Sequence, residues 1–151
     1  MNEPNFQGLT AEQARWAAEH FNDEAYMLHM TQRSMSATIA VSIFASVENY
    51  VAALCEDLRV QFAGNRPDWR HRRPGLERRL GIDFDQVGGF SDVQRARILN
   101  NCFKHNRGKV NEEFTRELGG NLDDEIEFEN EDWSAMIDGL ERFLVAVANH
   151  T

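Results

Sequence analysis

The stretch that decides the fold is IAVSIFASVENYVAALCEDL, residues 39–58. Ile39, Ile43, Val47, Tyr50, Leu54 and Leu58 recur at steps of four, four, three, four and four, the spacing that lines side chains along one face of an α-helix. A flanking stripe of Val41, Phe44, Val51, Cys55 and Phe62 makes that face wider than a surface helix needs. The segment therefore predicts a helix through the middle of a bundle, closing near Gly64, a residue suited to a left-handed turn.

Toward the N-terminus, Thr10 and Gln13 have the form of a capping box, in which each side chain satisfies a free amide of the first turn. They predict an earlier helix from Thr10 with Trp16, His20, Phe21, Met27 and Leu28 along one side. Toward the C-terminus, residues 65–75 are polar, proline-containing and basic, and read as a loop, with a short helix over Leu76–Leu80 and a turn at Gly88 and Gly89. Ser91 and Asp92 then start a helix that reaches Lys104 or His105, with Val93, Ala96, Leu99 and Phe103 facing inward. The final helix follows an acidic lead in which seven of the ten residues from Asp123 to Asp132 are carboxylates, a charge that complements the helix dipole. Its steps of four, three, four and three place Trp133, Ile137, Leu140, Leu144 and Val147 inward. Ile126 and Phe128 read as pins for an extended lead-in, since a lone strand has no partner here. Together these segments predict an all-α, compact bundle of four to five helices in a single domain over 1–151, with a leader at 1–9 and the basic loop at 65–75.

A chain of 151 residues with 42% apolar and 27% charged side chains can bury a core without disulfides or a structural metal. Its two cysteines, Cys55 and Cys102, lie inside apolar helical patterns and are expected to be reduced and buried. His20, His29, His71, His105 and His150 are scattered, neither cysteine has a ligand-spaced partner, and no phosphate-cradling glycine motif is present, so no metal or cofactor is expected. Residues 1–8 lack the basic start and apolar stretch of a secretory signal, and no uncharged apolar run approaches a bilayer's thickness. The expectation by elimination is a cytoplasmic protein with no membrane partner.

Charge is unevenly distributed. With 25 acidic and 16 basic side chains the net charge is −9, which argues against a general nucleic-acid coat and confines any RNA contact to a local patch. Between Arg66 and Arg79 six arginines and His71 surround Trp69, opposed by Asp68 and Glu77; this segment is formally +4 and the remainder −13. Arg66, Arg70, Arg72, Arg73 and Arg107 with one indole suit single-stranded RNA, where guanidinium meets phosphate and Trp69 stacks on a base. Equally, the arginines could pair with the acidic lead of the last helix.

The second polar concentration is RARILNNCFKHNRGKVN, residues 95–111. At helical pitch Arg97, Asn101 and His105 share a side, with Lys104 adjacent. An imidazole can move a proton at a ribose hydroxyl while a cation holds phosphate charge, which suffices for RNA cleavage without metal. The same residues would also serve as ordinary C-terminal caps.

The run from Asn100 to Val110, NNCFKHNRGKV, resembles the signature of HEPN domains, in which an arginine and asparagine precede a histidine, followed by asparagine and a nearby glycine. A long helix bearing Phe44, Glu48 and Tyr50, a middle loop, the histidine-bearing helix and a last apolar helix resemble those families in order over most of the chain. The resemblance implies a helical homodimer with two motif copies in one cleft, attack of a 2′-hydroxyl on the neighbouring phosphate, and a defence or toxin setting with a cognate antitoxin protein. On it, His105 matches the family histidine and Asn101 the asparagine, while the arginine position carries Asn100. An amide cannot set a positive charge against a phosphate, so Arg97, Lys104 or Arg107 would have to supply it. Three readings follow: a metal-independent endoribonuclease, a non-catalytic RNA- or nucleotide-binding module, and a helical dimerisation or adaptor protein.

Overall fold

The computed structural model describes residues 10–62, 68–127 and 130–151, with the side chains of Ala14, Ala17, Ala18, Glu19, Asn130 and Glu131 outside that description. The leader, the helix end at Gly64, the loop residues around Arg66 and the pin at Phe128 lie outside the described residues. The described chain is all-α: α1 (Ala11–Asp57), α2 (Trp69–Leu80), a 3-10 turn (Phe84–Gln86), α3 (Phe90–His105), α4 (Glu112–Leu118) and α5 (Asn130–Ala148). The chain groups into two compact units, residues 1–36 and 37–151.

In the first unit the capping box forms as expected: Thr10 N donates to Gln13 Oε1 at 3.0 Å and Gln13 N to Thr10 Oγ1 at 3.3 Å. Trp16 stacks on His20 with centroids 4.1 Å apart. The two expected N-terminal helices are one, because nothing between Thr31 and Ile39 breaks the backbone and α1 runs unbroken for 47 residues. Its stretch His20–Asp57 is long and apolar enough to cross a membrane by length and composition alone, a test that a core helix also passes. The reason is that Glu48 is the sole charge between Ser34 and Val51.

The second unit holds the core. On α1 the buried stripe is Ala40, Phe44, Val47, Val51 and Cys55, and the expected principal face of Ile39, Ile43, Tyr50, Leu54 and Leu58 packs half-buried at its edge. The helix closes earlier than Gly64. Arg59 N donates to Glu56 O and Val60 N to Cys55 O, the paired bonds of a left-handed closure, with Arg59 at φ 52°. An L-residue there costs about 1 kcal/mol that glycine would not.

The expected loop at 65–75 is corrected to a helix from Trp69 onward. Asp68 caps it by accepting from Arg70 N at 3.0 Å, Arg73 pairs with Glu77 one turn on, and Gly81 at φ 70° closes it. Pro74 removes one backbone donor, but burial of Trp69, Gly75 and Leu76 holds the turn in place. Aromatic rings converge beside it. Phe90 lies 5.6 Å from Phe84, 5.5 Å from Phe143 and 6.5 Å from Trp69, and Trp69 meets Phe44 edge-on at 5.7 Å.

Helix α3 starts at Phe90 and not Ser91, with Gly89 as its cap at φ 85°. Val93, Ala96 and Leu99 are fully buried as expected. Helix α5 packs mainly on α3, and its buried stripe is Trp133, Met136, Leu140, Phe143 and Val147; Ile137 is 47% exposed and Leu144 half-buried, a rotation of the expected face. Phe143 sets that rotation by entering the aromatic cluster 5.1 Å from Phe84. Ahead of α5, Lys109 and Glu125 form an isolated antiparallel bridge and Ile126 is buried.

Gly89 and Gly139 permit the α3–α5 crossing. A Cβ on Gly89 would collide with the Gly139 carbonyl, and one on Gly139 with the Asp92 carboxylate. Gly139→Ala should therefore lower stability by about 1–3 kcal/mol through overpacking, although helix propensity alone favours alanine by about 1 kcal/mol. Denaturant midpoints give the sign; a stabilised variant would mean the crossing is looser than described.

Candidate functional site

The polar end of α3 is built as two separate clusters. In the first, Arg97 donates from Nη2 to Glu113 Oε1 at 2.6 Å and from Nε to Gln94 Oε1 at 2.9 Å, and Asn101 Nδ2 reaches Glu113 Oε2 at 3.4 Å. Glu113 sits in the first turn of α4, which Asn111 caps by accepting from Phe114 N at 2.8 Å. The hydrogen bond from Arg97, reinforced by its charge and by Asn101 against some desolvation, holds the Glu113 carboxyl below the usual carboxylate range. The guanidinium thus ties α3 to α4, and its charge is already matched.

The second cluster lies one turn further on. Lys104 and His105 are exposed at the end of α3, and the His105 side chain makes no hydrogen bond to a described residue. Arg107 follows at φ 55°, also exposed. Asn106 donates from Nδ2 to Lys109 O and Val110 O at 3.0 and 3.2 Å, folding the 106–110 loop back on itself. Asn100 is buried at 4% exposure, and its Oδ1 has no partner among the described residues. It points into the protein interior and away from the face of His105. Arg97 and Asn101 are brought together; His105 and Lys104 are not joined to them.

The sequence-derived RNA set also divides. Trp69 is 8% exposed and belongs to the core, which corrects its assignment as a stacking platform: an indole packed against Phe44 and Phe90 offers no face to a base. Arg73 is a structural staple, not a free cation. Its Nε bonds Glu77 Oε1 at 3.0 Å, its Nη2 bonds Asp85 Oδ2 at 2.7 Å, and its guanidinium lies 4.6 Å over the Phe90 ring. Arg70 and Arg72 form no ion pair with a described residue. Arg66 lies outside the described residues. Among the described residues none of the α2 arginines pairs with the acidic lead; there Asp132 meets Arg95 at 3.5 Å.

Arg59, which the sequence reading did not single out, and Arg78 and Arg79, from the basic segment, line a groove of about 820 Å³ beside the end of α1. Glu113 was likewise missed, because a seven-residue helix is too short for a periodic signal. No group of histidine, cysteine and carboxylate side chains among the described residues could hold a metal ion. Cys55 and Cys102 are free and buried, and burial pushes both thiols up, so neither suits nucleophilic chemistry. Comparison of the chain with protein-family models, curated proteins and solved structures finds no match.

The Glu113 shift carries a pH signature. A carboxylate depressed on folding stabilises above its unfolded pKa, and that contribution fades as pH falls through the lower folded value. Glu113→Gln should cost about 1 kcal/mol at pH 7, and the gap to wild type should close on acidification below about 4.5, the ordinary glutamate value. Unfolding curves at pH 7 and pH 3.5 read this directly; a gap independent of pH would show that charge at Glu113 does not matter.

Proposed function

We propose that the protein is an RNA-directed helical protein of HEPN-like type that acts by binding and not by cleavage. The observation that carries the binding half is the state of α2: Arg70, Arg72 and Arg78 have no ion-pair partner among the described residues, on a chain whose remainder is formally −13. Guanidiniums without carboxylate partners are free to exchange counterions for phosphates. The catalytic half is disfavoured by the same site geometry. Arg97 is matched by Glu113, Asn100 is buried, and no described group orients the His105 imidazole as a base requires. The exposed Lys104, His105 and Arg107 at the end of α3 are the residues from which an endoribonuclease reading would have to be built.

The proposal includes a homodimer. Trp16, Tyr26, Met27, Leu28, Met30 and Met35 are large apolar side chains left exposed in the first unit, more than a solvated helix normally shows. Light scattering at micromolar concentration should return twice the chain mass, and a monomer would remove this element.

The deciding experiment incubates purified protein with total RNA, with and without a chelator, beside His105→Ala. The expected result is retention of RNA without cleavage, equal for both proteins. The double variant Arg70→Gln with Arg72→Gln should lose roughly tenfold or more in affinity and flatten the salt dependence by about one unit of slope per arginine. Chelator-resistant cleavage that disappears in His105→Ala would replace the binding reading with the enzymatic one.

A further inference from the structure

We infer that the groove between the C-terminal end of α1 and the last turns of α2 is a phosphate-binding site, taking the phosphates of an RNA strand or of a nucleotide. It deepens the RNA-directed reading and rests on it only for the length of the ligand; the phosphate chemistry stands on the groove itself. Arg59 approaches from the end of α1, Arg78 and Arg79 from α2, and among the described residues Asp57 is the one acidic side chain in the lining. Three guanidiniums against one carboxylate leave the groove cationic on an anionic protein. At about 820 Å³ and open to solvent it admits a strand as readily as a small anion.

The backbone is arranged to hold these groups apart and available. Gly75 forms the floor, where a Cβ would press to 2.8 Å from Val60 and Phe62, so glycine lets the chain after α1 lie directly on α2. Arg79 is anchored by donation from Nε to Leu58 O at 3.2 Å, which leaves its terminal amino groups without another described partner. The side chains of Arg59 and Arg78 make no ion pair or hydrogen bond with a described residue. Arg59 occupies a left-handed position, φ 52°, where glycine is the residue of least strain. A charged side chain kept at a strained backbone position points to a use for that side chain beyond closing the helix. Arg78 and Arg79 would, on the bland alternative, merely offset the negative end of the α2 dipole; that role needs no Arg59.

The test uses the full chain, with inorganic pyrophosphate and a labelled ten-nucleotide oligouridylate as probes, on wild type, Arg59→Gly and Arg78→Gln. Arg59→Gly removes the guanidinium while relieving the backbone, so without ligand its Tm should equal or exceed that of wild type. Pyrophosphate should raise the Tm of wild type and fail to raise that of either variant, and each variant should bind the oligonucleotide roughly tenfold more weakly. A Tm rise with pyrophosphate that survives in both variants, or a ligand-free Tm that drops in Arg59→Gly with binding intact, would overturn the site. Oligonucleotide binding that is indifferent to Arg59 and Arg78 yet lost with Arg70 and Arg72 would sink the groove and leave the RNA reading standing. Pyrophosphate binding through the groove with no oligonucleotide binding would do the reverse.

Discussion

The second unit depends on Phe90. Its ring packs with Phe84, Phe143 and Trp69 and carries the Arg73 guanidinium, so four segments, α2, the 3-10 turn, α3 and α5, meet through one side chain. Aromatic pairs of this geometry contribute about 1 kcal/mol each beyond the area they bury. Because Gly89 lets α3 begin against α5 immediately before Phe90, the ring is fixed in depth as well as direction. The other placements follow. Trp69 must start α2 to reach Phe90, and Phe143 rotates α5 so that Ile137 faces outward.

This constraint also explains which parts of the fold are legible in the sequence. Elements whose signal is local read correctly: the Thr10–Gln13 box, the burial of Val93, Ala96 and Leu99, and the reduced cysteines. Elements decided by tertiary contact do not. A tract of arginines with two prolines nearby has the composition of a loop, and it becomes a helix because Trp69 and Leu76 are drawn into the core. The α5 stripe misses by one position for the same reason: Met136 and Phe143 are one residue before Ile137 and Leu144, and periodicity alone cannot choose between faces that are both apolar.

The candidate site follows the same division. Helical spacing correctly puts Arg97 and Asn101 together. It could not show that Glu113 arrives from a separate short helix to neutralise the guanidinium, since that depends on how the 106–110 loop folds. Nor could spacing locate Arg59, whose position in the groove follows from a helix closing at a residue that is not glycine. Charge counting singled out Arg73, and the structure spends its charge internally on Glu77, Asp85 and Phe90. Counting charges identifies a basic segment; only pairing decides which of its members face outward with charge to spare.

That distinction governs how a polyanion would meet this surface. At physiological salt the field of an exposed charge is screened within about 8 Å, so the anionic remainder of the chain repels a strand at a distance but does not cancel an arginine it touches. Free arginines therefore act as contact groups and not as a steering field. Added salt then has opposed effects: it screens the long-range repulsion and weakens each contact through the counterions that must be released. With few contacts the second effect is small in total and the first offsets part of it. An RNA-directed protein of this charge would thus show a shallower salt dependence than a uniformly basic one with the same number of phosphate contacts, because its cations are sited locally on an otherwise repelling body.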